Sequence, residues 1–187
     1  MHLYFMVDVE SDGPIPYDYS MIELGAVVVE PSLKQTFHAK IKPISDKFEQ
    51  EALNVTGYTR EETLKGRDPQ EVMIEFNRWI YDQCTEASKG NVAGLPPLHV
   101  GYRPRFISDN NGYDWQFINW YFHHFTGTNP FGFSSTNLGS LYKGMQRSMR
   151  VNFKHLRRTR HDHNPVNDAI GNAEALLHMQ KVDRFRL

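Results

Sequence analysis

The stretch Leu3-Tyr4-Phe5-Met6-Val7-Asp8-Val9-Glu10 constrains the fold more than any other part of this sequence. In an extended chain its residues alternate between two faces, and both faces start apolar. Leu3, Phe5, Val7 and Val9 lie on one side, Tyr4 and Met6 on the other. Such a strand must be covered above and below, which makes it a central strand of a sheet. At its end the second face turns acidic. Asp8 and Glu10 project together, a costly placement inside a protein unless a cation compensates it. Two hard oxygen ligands side by side suit Mg²⁺ or Mn²⁺. The same pair also fits a strand end emerging into solvent with its acids hydrated.

Ser11-Asp12-Gly13-Pro14 breaks this strand. A second strand is predicted from about Met21 to Val29, stopped by Pro31, and a third from Gln35 to Ile41. Short connections between the three predict an antiparallel meander. Asp68-Pro69 opens a helix whose buried face is Val72, Met73, Phe76, Trp79, Ile80 and Gln83. Lys89 to Pro97 reads as a Gly/Pro-rich connector, and Arg103 to Ser108 as a short strand. A helix through Asp114, Phe117, Ile118, Tyr121 and Phe122 follows, then a loop from Thr126 to Thr136. The last helix starts after Asn164, with Pro165 at its first position, and ends near Lys181. There is no repeat, low-complexity tract or interdomain linker. At 187 residues the expectation is one α/β domain over 1–187, a meander followed by alternating helices and strands.

A single cysteine, Cys84, excludes an internal disulfide and a zinc cluster of cysteines. The apolar start is cut short by Asp8 and Glu10, so it does not read as a secretory signal. No run reaches the ~18 apolar residues of a membrane helix. A soluble, cytoplasmic protein without a membrane partner is expected. The formal net charge of −1 suggests no basic coat, but it averages two opposed halves. Residues 1–100 hold 9 Lys/Arg against 16 Asp/Glu, whereas 101–187 hold 12 against 6. Lys143, Arg147, Arg150, Lys154, Arg157, Arg158 and Arg160 follow one another with no acid between them. The run fits either a solvated helix face or a phosphate-binding strip.

Two further acids open helices. Asp114 follows Asn110-Asn111-Gly112-Tyr113, and Asp168 follows His163-Asn164-Pro165-Val166-Asn167. Each alone fits a first-turn acid complementing the helix dipole, with Asn164 as a cap and His163 as a loop neighbour. His161 and His163 stand two apart but lack the ligand framework of a zinc site.

Together and in this order, Asp-x-Glu ending the first strand, Asp opening a mid-chain helix, and His-x(4)-Asp opening the last helix resemble the DEDDh group of DnaQ-like 3′–5′ exonucleases. Met21-Ile22-Glu23-Leu24-Gly25-Ala26 is similar to that family's second strand. Ala52-Leu53-Asn54-Val55-Thr56-Gly57-Tyr58-Thr59 resembles its Gly-Ile-Thr segment, with Tyr58 in place of Ile. Asp109-Asn110 stands where many members have His-Asn. The resemblance covers essentially the whole chain. It implies a ribonuclease H-like mixed sheet, an antiparallel three-strand meander plus parallel strands, flanked by helices.

It also implies two divalent metal ions, Mg²⁺ or Mn²⁺, roughly 3.5–4 Å apart across the scissile phosphate. Asp8, Glu10 and Asp168 would hold the ion carrying the attacking water. Asp8 would also reach the second ion, and Asp114 would support the site through water. His163 would be the general base, since imidazole titrates near neutrality, at about 6.5. The substrate would be the 3′ end of a single-stranded or short nucleic acid, released as nucleoside 5′-monophosphates. RNA ranks slightly ahead of DNA, because freestanding members of this size often process RNA. Backbone amides near Ser11, Asp12 and Gly13 would contact the terminal nucleotide, and Arg157, Arg158 and Arg160 the phosphates behind it. Tyr17, Tyr19, Tyr58, Phe131 and Phe133 fit either base stacking or ordinary packing. A homodimer, one subunit's basic strip serving the other's site, is compatible with the family. A binding or polymerase-associated protein on the same fold, and a phosphodiesterase for dinucleotides, are the alternatives.

Overall fold

The structure is a computed structural model describing residues 1–92, 94, 95, 97 and 101–183. Its strands are β1 (His2–Ser11), β2 (Met21–Val28), β3 (Thr36–Lys40), β4 (Arg103–Ser108) and β5 (Ser135–Asn137). Its helices are α1 (Gln50–Thr56), α2 (Arg60–Thr63), α3 (Pro69–Ser88), α4 (Asn111–Thr126), α5 (Leu138–Met145) and α6 (Pro165–Asp183). The strands form a single sheet in the order β3-β2-β1-β4-β5. β1 is central, as its two apolar faces require. It runs antiparallel to β2 and parallel to β4; β3 extends the meander and β5 the parallel side. This is the mixed ribonuclease H-like sheet flanked by helices.

The alternation along β1 sorts the core into two halves. Leu3, Phe5, Val7 and Val9 pack with Val72, Phe76 and Ile80 of α3 and with Phe117, Ile118 and Phe122 of α4. Met6 packs on the opposite face with Ile107 of β4, Leu138 of α5, and Ala169, Ala173, Leu176 and Met179 of α6. Burying each large apolar side chain contributes about 1.5–3 kcal/mol, so both faces of β1 are strongly held. Asp8 and Glu10 continue the face of Met6, toward α6.

Helix starts follow their caps. Asp68 Oδ1 accepts from Glu71 N–H at 3.1 Å with Pro69 at the first position of α3. Asn164 Oδ1 accepts from the N–H groups of Val166 and Asn167, each at 3.1 Å, and Pro165 opens α6. Four short elements carry no signal in the sequence pattern: α1, α2, α5 and β5. α1 has seven residues and α2 four, too few for a 3.6-residue period to register. β5 has three residues, the first two in the segment expected to be loop, and its pairing with β4 holds it there. Residues 93 and 96 of the expected connector, and 184–187 at the end of the expected domain, lie outside the described residues. The basic run is not a continuous helix face, because only Lys143 lies in an α-helix and Lys154 opens a 3₁₀ turn. Among the described residues no helix is long and apolar enough to cross a membrane.

Candidate active site

Three elements converge where β1 ends. β1 outruns β4, whose pairing with it stops at Met6 opposite Ile107, and the N–H of Val9 is taken up by Asp114. Asp114 Oδ1 accepts it at 3.3 Å, which fixes the carboxyl in the first turn of α4. On the other side, Asp8 lies opposite Gly25 of β2. A Cβ on Gly25 would lie 2.3 Å from the Pro165 carbonyl carbon and 2.4 Å from Val166 N. Glycine therefore lets the start of α6 press onto the sheet beside Asp8. Asp168 follows within the same turn, buried.

The result is a ligand set. One carboxylate oxygen from each of Asp8, Glu10 and Asp168 lies within 4.8 Å of the others. Asp114 Oδ2 and Asp168 Oδ2 are buried without a hydrogen-bond partner, although buried oxygens are normally satisfied. Crowded, desolvated carboxyls resist ionisation. Burial, then the charges of Asp114, Glu10 and Asp168, pushes Asp8 well above the carboxylate range. Burial chiefly, with Asp168 and Glu23, raises Glu10 to about 8. Burial raises Asp114 to about 7 against the hydrogen bonds from Ser108 and Val9 N–H. Hard, convergent oxygens lacking protein donors are what a divalent cation takes. The residues present fit that group.

His163 borders this cluster, with Nδ1 3.9 Å from Glu10 Oε1 and its side chain 43% exposed. Its φ of 58° is uncommon for a non-glycine residue and puts the imidazole at the mouth of the site. His161 lies ring to ring with it, centroids 4.4 Å apart, and its Nδ1 is 2.7 Å from Asp168 Oδ1. Sequence reasoning assigns His161 no role, although its two-residue offset from His163 is a usable signal.

The expected substrate contacts divide. Asp12 faces the interior: Oδ1 accepts from Ser20 N–H at 2.5 Å and Oδ2 pairs with Arg60 Nη1 at 2.7 Å. Its carboxyl ties the turn after β1 to Arg60 at the start of α2. Ser11 is buried against the Tyr113 hydroxyl, and its Oγ donates to the Gly13 carbonyl at 2.5 Å. Gly13 is buried as well. Arg157 leaves the expected surface strip, because its side chain is 5% exposed and Nη2 lies 2.7 Å from Asp168 Oδ1. Arg158 is 83% exposed, with Nε 3.6 Å from Glu174 Oε1. Arg147, Arg150 and Arg160 are exposed, and Lys154 pairs with Asp109 at 2.9 Å. Of the aromatic residues, Phe131 belongs to the core, edge-on to Phe5 and Phe106, while Tyr17 and Phe133 are exposed.

Comparison with known proteins finds a related exonuclease and the same fold. The family model described as Exonuclease matches residues 5–93. The 3′–5′ DNA exonuclease Cap18 of Escherichia coli is 34% identical over 188 aligned positions, a match that covers 96% of this chain and 92% of the relative. The crystallographic nuclease domain of 3′hExo, a DEDDh family member bound to rAMP, superposes with a TM-score of 0.72 at 15% identity. That match covers 98% of this chain and 94% of that domain. E. coli Exonuclease I in complex with an oligonucleotide gives a TM-score of 0.69 at 13% identity, over 98% of this chain and 42% of that one. With a relative this similar along nearly the whole of both chains, and with the acids gathered at the end of β1, the chain belongs to the 3′–5′ exonuclease family and is a nuclease.

Proposed function

We propose that this protein removes nucleotides one at a time from the 3′ end of single-stranded DNA. Asp8, Glu10 and Asp168 would hold divalent metal, Asp114 would support them, and His163 would act as general base. The observation that carries the reading is the convergence of the three carboxylates within 4.8 Å, with buried oxygens of Asp114 and Asp168 left unpartnered. Divalent ions held there would supply positive charge to the phosphate oxygens and a water acidic enough to be deprotonated near neutrality.

The chain's own residues do the rest. Val9 N–H fixes the Asp114 carboxyl, and the Asn164 cap with the Gly25 contact fixes Asp168, so the oxygens are set before substrate arrives. His163, half-exposed beside Glu10, would take a proton from the attacking water and release it to solvent. Arg158 and Arg160, with Arg147 and Arg150 of the same run, are exposed and would carry the phosphate contacts expected of the basic strip. DNA takes the place of RNA as the favoured polymer on the strength of the full-length relative, whose name specifies a DNA exonuclease.

A matched panel of single-stranded, overhanging and duplex DNA and RNA, with dinucleotides as a further arm, tests the reading. Stepwise shortening of single-stranded DNA from the 3′ end is expected. Faster cleavage of RNA would reverse the polymer assignment, and exclusive cleavage of dinucleotides would replace it. His163→Ala is expected to lose most turnover while keeping its fold and metal response. Wild-type turnover in that variant would remove His163 from the role of base.

A further inference from the structure

Arg157 is the one member of the basic run that turns inward among the described residues. Its guanidinium approaches α6 beside the acid cluster, and Nη2 meets Asp168 Oδ1 at 2.7 Å with both side chains almost fully buried. Two features of the chain make room for it at some cost. Gly171 stands three residues after Asp168, on the same face of α6. A Cβ there would lie 2.4 Å from Arg157 Nε, 2.7 Å from Nη2 and 2.9 Å from Cζ. Glycine is disfavoured inside a helix relative to alanine, so the gap is kept against local preference. Moreover, Arg157 Nε is buried without an acceptor. A mid-helix glycine and an unsatisfied N–H are both accepted so that a single contact with Asp168 can form.

That contact is selective. It occupies Oδ1, which His161 Nδ1 also reaches at 2.7 Å, and leaves Oδ2 buried and unpartnered. Arginine cannot give up its charge at any accessible pH, so the guanidinium is a permanent cation on Asp168, the acid that converges with Asp8 and Glu10. Without a cation, carboxylates this close repel one another. A fixed positive charge relieves that repulsion and, equally, opposes a second cation arriving nearby.

We infer that Arg157 is a resident counter-cation of the acid cluster: it holds Asp168 by Oδ1, presents Oδ2 to the metal, stabilises the metal-free site and loosens the site's grip on divalent ions. The inference rests on the proposed metal-binding role of the cluster. Arg157 is thus a positioning residue acting through Asp168, not a phosphate ligand.

The test uses Mn²⁺ alone, without nucleic acid, on the full chain. Mn²⁺ affinity is measured by calorimetric titration, and thermal unfolding is followed in EDTA and in saturating Mn²⁺. Arg157→Met is expected to bind Mn²⁺ about tenfold more tightly than wild type. Its unfolding temperature should fall further in EDTA than in Mn²⁺. Arg157→Lys, which keeps the charge, should restore an affinity near that of wild type. A residue that only packs would lower both unfolding temperatures equally and leave the affinity unchanged. Folding of Arg157→Met only in the presence of Mn²⁺ is the same result in stronger form. If that variant folds in neither condition, Gly171→Ala decides, since its methyl group displaces the guanidinium and should also tighten Mn²⁺ binding. Unchanged or weaker binding in the folded variants overturns the inference alone. A wild-type protein that binds no Mn²⁺ overturns the metal reading and this inference with it.

Discussion

The N–H of Val9 donates to Asp114 Oδ1 at 3.3 Å, so the strand that carries Asp8 and Glu10 also fixes the acid contributed by α4. The bond spans 105 positions in the chain, yet it joins two residues whose own locations are set locally. Val9 belongs to the buried face of β1, and Asp114 lies in the first turn of a helix that starts just after β4 ends. The carboxylates are therefore set by the end of the central strand and the first turns of two helices, and His163 reaches them from the loop before α6.

Raised carboxyl pKa values make the metal-free protein sensitive to pH. Glu10 rises from 4.5 to about 8 and Asp114 from 3.8 to about 7, both mainly through burial, so the folded state binds more protons than the unfolded chain between these limits. The stability contributed by the protonated acids is complete below about pH 4 and is lost as pH rises through about 7 to 8. In EDTA the unfolding temperature should fall across that window. Saturating Mg²⁺ or Mn²⁺ should abolish or reverse the decline. A profile unaffected by metal would contradict the account.

Gly25→Ala should be disruptive although it adds one methyl group. The new Cβ would meet the Pro165 backbone at 2.3 Å, and backbone cannot swing aside as a side chain would. A loss of about 1–3 kcal/mol is expected by analogy with overpacked cores. Turnover should fall further than stability alone accounts for, because α6 carries Asp168 away from Asp8. Denaturant unfolding together with single-turnover rates measures both. Full activity in the folded variant would show that the α6 contact does not set the site.

Asp12→Ala should act on folding and not on substrate. It leaves Arg60 nearly buried and unpaired, a change that costs about 3–5 kcal/mol when one partner of a buried pair is removed. The folded fraction should keep its KM for a single-stranded oligonucleotide. A raised KM with unchanged stability would place the Asp12 carboxyl on the substrate.

The exposed arginines should show themselves through salt. Replacing Arg150 or Arg160 by Gln should weaken single-strand binding. It should also shallow the dependence of log affinity on log salt by about 0.7 for each phosphate no longer neutralised. Fluorescence anisotropy over a salt series, with Asp8→Asn in the background to prevent cleavage, gives the slopes. Unchanged slopes would remove these residues from the phosphate path.

What could be read in the sequence was local. Two-residue alternation placed Asp8 and Glu10 on one face of a central strand, and Asp68-Pro69 and Asn164-Pro165 marked helix starts that the structure reproduces. The features that escaped are tertiary. No local pattern shows that Asp12 pairs with Arg60, 48 positions away, or that Phe131 fills the core beside Phe5. Arg157 resembles its neighbours in a charged run. Its inward turn depends on a glycine 14 positions later on another element, which spacing along the chain does not announce.

The most direct test of the central claim is a time course on a 5′-labelled single-stranded DNA, comparing wild type with Asp8→Asn in Mg²⁺ and in EDTA. The account predicts a ladder shortening one nucleotide at a time from the 3′ end with wild type in Mg²⁺ only, and intact strand in the other three reactions. Robust shortening in EDTA, or by folded Asp8→Asn, would contradict it.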